Sequence, residues 1–178
     1  MRTDAELVEA AQHGDVDSFA ELYRRHYAAA VGIARCWLRD GQAAQDAAQE
    51  AFVVACRDLT RLRRPDKFAK WFGAICRNLA RRMAKAASRL QPGHEVGEPV
   101  APPPDATRER NELVRDAVQR LSRSAREVIM LRYFAGLSHE QMAATLGISR
   151  HSVHGRLIRA RRRIAEDLSR NGLGRRER

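Results

Sequence analysis

Arg150, His154, Ile158 and Arg161 recur at steps of three and four near the C-terminus, and Val153, Leu157, Ala160 and Ile164 run between them at the same spacing. The two sets fall on different faces of one helix, the second apolar and suited to burial, the first turned outward. Such a face can bind nucleic acid. A guanidinium presents parallel N–H groups to O6 and N7 of guanine, a pairing worth about 1–3 kcal/mol of discrimination. Bond-breaking chemistry has no comparable constellation. An enzyme acting on nucleic acid needs clustered carboxylates for metals or a nucleophile–base pair. Asp46 with Glu50 is the only compact acidic set; it lacks a third acid and lies far in sequence from the basic blocks. His13, His26, His94 and His139 have no metal-ligand spacing, so no catalytic residue, metal or cofactor is assigned.

The elements that must hold the basic face are legible just upstream. Ser138 followed three residues on by Gln141 is a capping-box start for a short helix, Gly147 supplies a tight turn, and Ser149 caps the helix that carries Arg150. Two short helices, a glycine turn and a basic outer face describe a helix-turn-helix whose second helix enters the DNA major groove.

Charge supports a polyanionic partner. The 178 residues carry 33 basic and 22 acidic side chains, a formal +11, distributed unevenly. Residues 1–60 net −4, 61–89 net +9, 90–147 net −1 and 148–178 net +7. Two basic blocks separated by slightly acidic ones suggest two DNA-facing surfaces, with other work given to the acidic parts. Cys36, Cys56 and Cys76 are too few and scattered for a disulfide scaffold or zinc site, and each is expected to be a buried, reduced thiol. The N-terminus lacks the apolar core of a signal peptide and no apolar run approaches a membrane span, so a cytoplasmic protein without membrane insertion is expected.

Taken in order, the chain predicts helices over about 4–13 (opened by a Thr3/Glu6 capping box and ended by Gly14), from Asp15 or Asp17 to about 38, and over about 42–59. Asp46, Gln49 and Glu50 leave a polar acidic patch on the third, which by itself reads as a solvated face. A basic loop with Arg61, Arg63 and Arg64 precedes Pro65, which fits the first turn of a helix. There Phe68, Trp71, Phe72, Ile75, Leu79 and Met83 form an inner stripe, whose aromatics are expected to pack in the core, as is Trp37. Lys70, Arg77, Arg81 and Lys85 form an outer one. A row of like charges repels itself unless an anion lies along it. Residues 91–105 hold five prolines, read as a linker that spans roughly 45 Å at about 3.1 Å per residue, more than one DNA turn of about 34–36 Å. Helices over about 107–121 and from Ser122 or Ser124 through Phe134 precede the helix-turn-helix, whose last helix runs to about 169 before a basic tail. No strand pattern is present. The expected fold is all-α, as two small helical domains joined by a Pro-rich linker: 1–90, linker 91–105, 106–170 and tail 171–178.

This order of motifs resembles the bacterial RNA polymerase sigma factors of the small extracytoplasmic-function (ECF) group. DAAQEAF at 46–52 matches a D-x-x-Q-E-x-F core, KFAKWFGAICRNLARR at 67–82 an F-x-x-W-L-x-x-I-A-R-N pattern, and 121–164 follows sigma region four almost continuously. The resemblance implies that Asp46, Gln49 and Glu50 face the clamp helices of core RNA polymerase. It implies that the loop with Arg61, Arg63, Arg64 and Asp66 captures an unstacked base of the promoter −10 element, and that Arg77, Asn78, Arg81 and Arg82 hold that strand. It further implies that Arg150, His154 and Ile158 meet base edges of the −35 element, that the neighbouring His151 belongs to the same DNA-binding face, and that Arg156, Arg159 and Arg162 touch phosphates. His154 and Gly155 stand where Lys or Arg and then Ser are frequent, and His151 replaces a common Gly, so the −35 preference does not transfer. The same resemblance implies an anti-sigma protein covering one or both domains. The alternative is a LuxR-type regulator, which shares a similar helix-turn-helix but acts without being a polymerase subunit. The helical first half, with its own basic block, argues against it.

Overall fold

The computed structural model describes residues 2–90 and 106–171; the linker 91–105 and residues 172–178 of the basic tail lie outside the described residues. Within them every regular element is a helix and there is no strand.

The N-terminal half is a four-helix unit. Helix α1 (Asp4–Gln12) opens on the expected capping box, Thr3 accepting from the Glu6 amide while Glu6 accepts from the Thr3 amide at 2.6 Å. Helix α2 (Val16–Ala34) is capped by Asp15, α3 (Gly41–Asp58) by Asp40, and α4 (Phe68–Leu90) follows a 3-10 turn led by Pro65. Each cap satisfies amides that the first helical turn leaves without an intrahelical acceptor. Helix α2 stops four residues short of the expected end: residues 35–37 form a turn, with the Leu38 amide still reaching the Ala34 carbonyl.

What binds these helices is an aromatic nucleus. Phe52 of α3 sits 4.3 Å from Phe72 of α4 and 4.5 Å from Tyr23 of α2, centroid to centroid, and Phe68 stacks on Phe72 at 5.6 Å. Phe68 and Phe72 are at most 2% exposed, and each such side chain contributes about 1.5–3 kcal/mol relative to exposure. The expected inner stripe of α4 is only partly so deep: Trp71, Ile75 and Met83 are half-buried. Trp37 is likewise half-buried, its ring covered on one side by the Arg123 guanidinium at 4.0 Å.

The C-terminal half comprises α5 (Ala106–Gln119), α6 (Arg123–Ile129) continuing into a π-helical turn (Met130–Phe134), α7 (His139–Leu146) and α8 (Arg150–Arg170). Ser122 rather than Ser124 caps α6, since it is Ser122 that accepts from the Ala125 amide. Val128, Leu131, Met142 and Val153 form its buried centre.

The two halves are packed together. Helix α7 lies on α4, and the π turn lies on α2. A β-carbon built on Gly73 of α4 would stand 2.8 Å from the Thr145 carbonyl oxygen of α7, so the absence of a side chain there is what admits the approach. Arg126 reaches across to donate to the Cys36 carbonyl at 3.2 Å, and the Arg35 guanidinium lies 5.0 Å from the Phe134 ring centre. Phe134, expected to pack in its own unit, is thus 46% exposed and contacts the other half.

Candidate nucleic-acid and polymerase interfaces

The helix-turn-helix is built as its caps require. Ser138 accepts from the Gln141 amide while Gln141 accepts from the Ser138 amide at 2.8 Å; Ser149 caps α8 through the Ser152 amide. Gly147 joins the two helices at φ +68°, the left-handed region where glycine carries no steric cost, and its amide bonds back to the Ala143 carbonyl. Val153, Leu157 and Ala160 of α8 are buried, and the turn of the helix therefore leaves Arg150, His151, His154, Ile158, Arg159 and Arg162 exposed. Ile158 is 52% exposed, an apolar side chain in water amid arginines. Arg156 is half-buried.

On the N-terminal half, Arg61, Arg63 and Arg64 are exposed on the loop between α3 and α4. Asp66 does not stand free beside them. Lys67 Nζ lies 2.9 Å from it and Arg64 grips it with two nitrogens at 3.0 and 3.2 Å, which holds its carboxyl below the usual range. Asn78, Arg81, Arg82 and Lys85 are exposed on α4. The row of four outer charges is interrupted at its other members. Lys70 lays its aliphatic stem against Gly147 of the helix-turn-helix, and Arg77 turns to Glu127 of α6 at 2.9 Å and to the Thr145 carbonyl at 3.5 Å. The ion pair is well covered, 25% and 14% exposed for the two side chains. The structure thus separates Arg77 from Asn78, Arg81 and Arg82, with which the sequence grouped it.

Asp46, Gln49 and Glu50 are exposed together on α3, with Gln42 donating to Asp46 at 3.0 Å. A further surface had no sequence signal strong enough to single out. Val118, Ile129, Tyr133, Phe134, Ile164 and Leu168 line an open apolar groove of about 550 Å³ between α5, the π turn and α8. Such grooves accept the apolar face of an amphipathic helix. Glu127, Thr145 and Arg126 were missed for a different reason: nothing in their local spacing distinguishes them from surface residues.

The cysteines divide. Cys36 and Cys76 are buried, and desolvation pushes both thiols up to about 12; Cys56, expected to be buried, is exposed on α3, just beyond the edge of the face that buries Ala44, Ala48, Ala51 and Ala55. Among the described residues no group of three or more His, Cys, Asp or Glu could hold a metal, and no helix is long and apolar enough to cross a membrane.

Comparison with known proteins bears on this geometry. Residues 22–90 match the family described as Sigma-70 region 2, and residues 111–164 that described as Sigma-70, region 4. The chain is 31% identical to the RNA polymerase sigma-H factor of Pseudomonas aeruginosa, covering 93% of each chain. It is 30% identical to the ECF RNA polymerase sigma factor SigM of Mycobacterium tuberculosis, over 94% of this chain and 85% of that one. Among solved structures it resembles CnrH in complex with the cytosolic domain of CnrY, with a TM-score of 0.67, 28% identity, and coverage of 95% and 99% of the two chains. The sigma factor RpoE of Bartonella quintana, solved with the anti-sigma factor NepR, shares the fold at a TM-score of 0.61 and 22% identity, covering 86% of this chain and 98% of that one. With both regions matched in order and near full-length relatives at this identity, the chain belongs to the sigma-70 family, as a sigma factor of the ECF group.

Proposed function

We propose that this sigma factor reads the −35 element with the outer face of α8, Arg150, His151, His154 and Ile158 at base edges and Arg156, Arg159 and Arg162 at phosphates. The observation that carries this reading is the exposed arginine and histidine face with Ile158 at its centre, an apolar side chain suited to a thymine methyl. The −10 strand is held by Arg61, Arg63, Arg64 and Asp66 on the loop and by Arg77, Asn78, Arg81 and Arg82 on α4. Phosphate contacts position the strand and a base taken out of the stack supplies the sequence choice. Energy for opening comes from capturing such bases, so no nucleotide hydrolysis by this chain is invoked. Asp46, Gln49 and Glu50 dock on core polymerase. Two domains, 1–90 and 106–170, tied by 91–105, carry these tasks, and an anti-sigma protein covers one or both.

Arg77 can serve the −10 strand only after it leaves Glu127 and Thr145. The packed arrangement of the two halves is therefore the resting form, and promoter engagement separates α7 from α4.

Run-off transcription with purified bacterial core polymerase tests the reading. Promoter-specific transcripts should appear with the protein and vanish on Asp46→Lys with Glu50→Lys. If core polymerase gains no new start sites while the protein alone selects discrete DNA fragments, the helix-turn-helix regulator reading replaces it.

A further inference from the structure

One acidic side chain stands where α7 and α8 begin. Between residues 137 and 165 Glu140 is the sole acid, and it is exposed. A carboxylate on a face that approaches a duplex opposes binding, because it repels the phosphates that the surrounding arginines attract. Its place in the first turn of α7 offers a modest local benefit at the positive end of the helix dipole. That benefit does not explain where its oxygens go. Oε1 lies 2.8 Å from Nη1 of Arg150, on the first turn of the recognition helix, and Oε2 is 3.4 Å from the Ser138 hydroxyl. The neighbouring residue of α7 makes a parallel contact: His139 meets His154 edge to face, with ring centres 5.9 Å apart at 66°. The first two residues of α7 each touch a side chain of the proposed reading face.

We infer that Glu140 is a positioning residue for −35 recognition, holding the Arg150 guanidinium in the orientation that reads a base. This rests on the assignment of Arg150 to a base edge. A guanidinium has five N–H donors in a rigid fork. With Nη1 engaged by Glu140, the remaining donors stay available for a bidentate pair with guanine. An arginine free of its carboxylate partner samples many rotamers and can settle on the nearest phosphate, which gives affinity without sequence information. Glu140 thus trades affinity for selectivity.

That trade separates the idea from its rivals. A residue that merely caps α7 would, when replaced, lower stability and binding to every sequence together. A residue reading a base directly, for example by accepting from cytosine N4, would govern its own position whether or not Arg150 were present.

The test uses the full chain with core polymerase on a promoter whose −35 element is varied one base pair at a time, for wild type, Glu140→Gln, Arg150→Ala and the double variant, with thermal unfolding checked for each. Expected is that Arg150→Ala flattens the preference at one base pair, and that Glu140→Gln flattens the same one by roughly tenfold, within the range a bidentate pair supplies. The double variant should be no worse than Arg150→Ala, and binding of Glu140→Gln to random-sequence duplex should equal or exceed wild type. Preference retained in Glu140→Gln, or lost at a different base pair, or losses that add in the double variant, would each overturn the proposal while leaving the Arg150 assignment intact. If Arg150→Ala changes no −35 preference, that assignment falls and this inference falls with it.

Discussion

Gly73→Ala separates two effects that most substitutions confound. In an isolated helix the change helps, since alanine is favoured over glycine by about 0.8–1 kcal/mol in a helix interior. Helix α4 should therefore be no less stable. The new methyl, however, stands 2.8 Å from the Thr145 carbonyl oxygen and 3.2 Å from its Cγ2. The first is backbone of a capped helix and cannot swing aside. Overpacking of this kind costs about 1–3 kcal/mol, and the cost falls on the contact between α4 and α7 alone. Because 1.4 kcal/mol is a factor of ten, the ratio of packed to separated forms should drop by roughly 5- to 150-fold. The change also loosens the cover over Arg77, whose partners Glu127 and Thr145 both belong to the other half.

Two dyes read the separation directly. Cys56 offers an exposed thiol on α3, and a second cysteine introduced on the exposed side of α8 completes the pair. Gly73→Ala should lengthen the dye-to-dye distance, tighten binding of a single-stranded −10 oligonucleotide, and leave the unfolding temperature of the N-terminal half unchanged or raised. Glu127→Gln, which removes the charge but keeps an acceptor, should move the first two readouts the same way. An unchanged distance and unchanged oligonucleotide affinity in both variants would refute the argument that the α4–α7 contact restrains Arg77.

Thiol reactivity should be selective: iodoacetamide at neutral pH alkylates Cys56 in the native protein, while Cys36 and Cys76, with thiols near 12, react only in denaturant, as mass spectrometry of the peptides will show. Asp4 accepts from Arg25 at 3.1 Å and has His26 Nε2 at 2.7 Å, and the His26 contact leads in holding its carboxyl below the ordinary 3.8. A depressed carboxylate stabilises the fold at pH above its unfolded value, and that contribution disappears as pH falls through the lower folded value. Asp4→Asn should therefore be less stable than wild type at pH 7, and the gap should close below about pH 4 in denaturant titrations. Ser138→Ala removes the oxygen that accepts from the Gln141 amide and should cost about 1 kcal/mol of stability in the C-terminal half, with weaker −35 binding, by calorimetry and gel shift.

Much of the architecture was legible because it is local. Thr3 with Glu6, Ser138 with Gln141, and Gly147 each announce a helix end through bonds spanning three or four residues, and all three sit where their spacing requires. The buried stripe of α8 is equally a matter of period. Burial of Phe72 followed from its place on the inner stripe of α4, but its partner Phe52 on α3 was not singled out by the spacing. Misreadings arose where a helix end was set by something other than its own sequence. Apolar spacing through Trp37 continues past Ala34, yet the chain turns there, with Trp37 lying under Arg123 from the other half.

Contacts between the halves lie beyond any pattern in one segment, because the residues that make them look like solvent-facing charges. Arg126 shows why. In sequence it is one more arginine in a basic protein, between an alanine and a glutamate. In the fold it donates to the backbone carbonyls of Val118, Gln119 and Leu121, at the end of α5 and in the turn after it, and to that of Cys36 where α2 has turned. A guanidinium with five N–H groups can serve several such carbonyls together. Desolvation pulls its pKa down from the ordinary arginine value, but a guanidinium remains charged. Arg126 is thus bound to the ends of two helices from opposite halves, and separating the halves frees only the Cys36 carbonyl. Its three bonds to α5 and the turn after it keep the C-terminal unit intact when the interface opens. The same side chain can therefore join the resting form and survive its loss, which a polar, hydrogen-bonded contact permits more readily than a continuous apolar core.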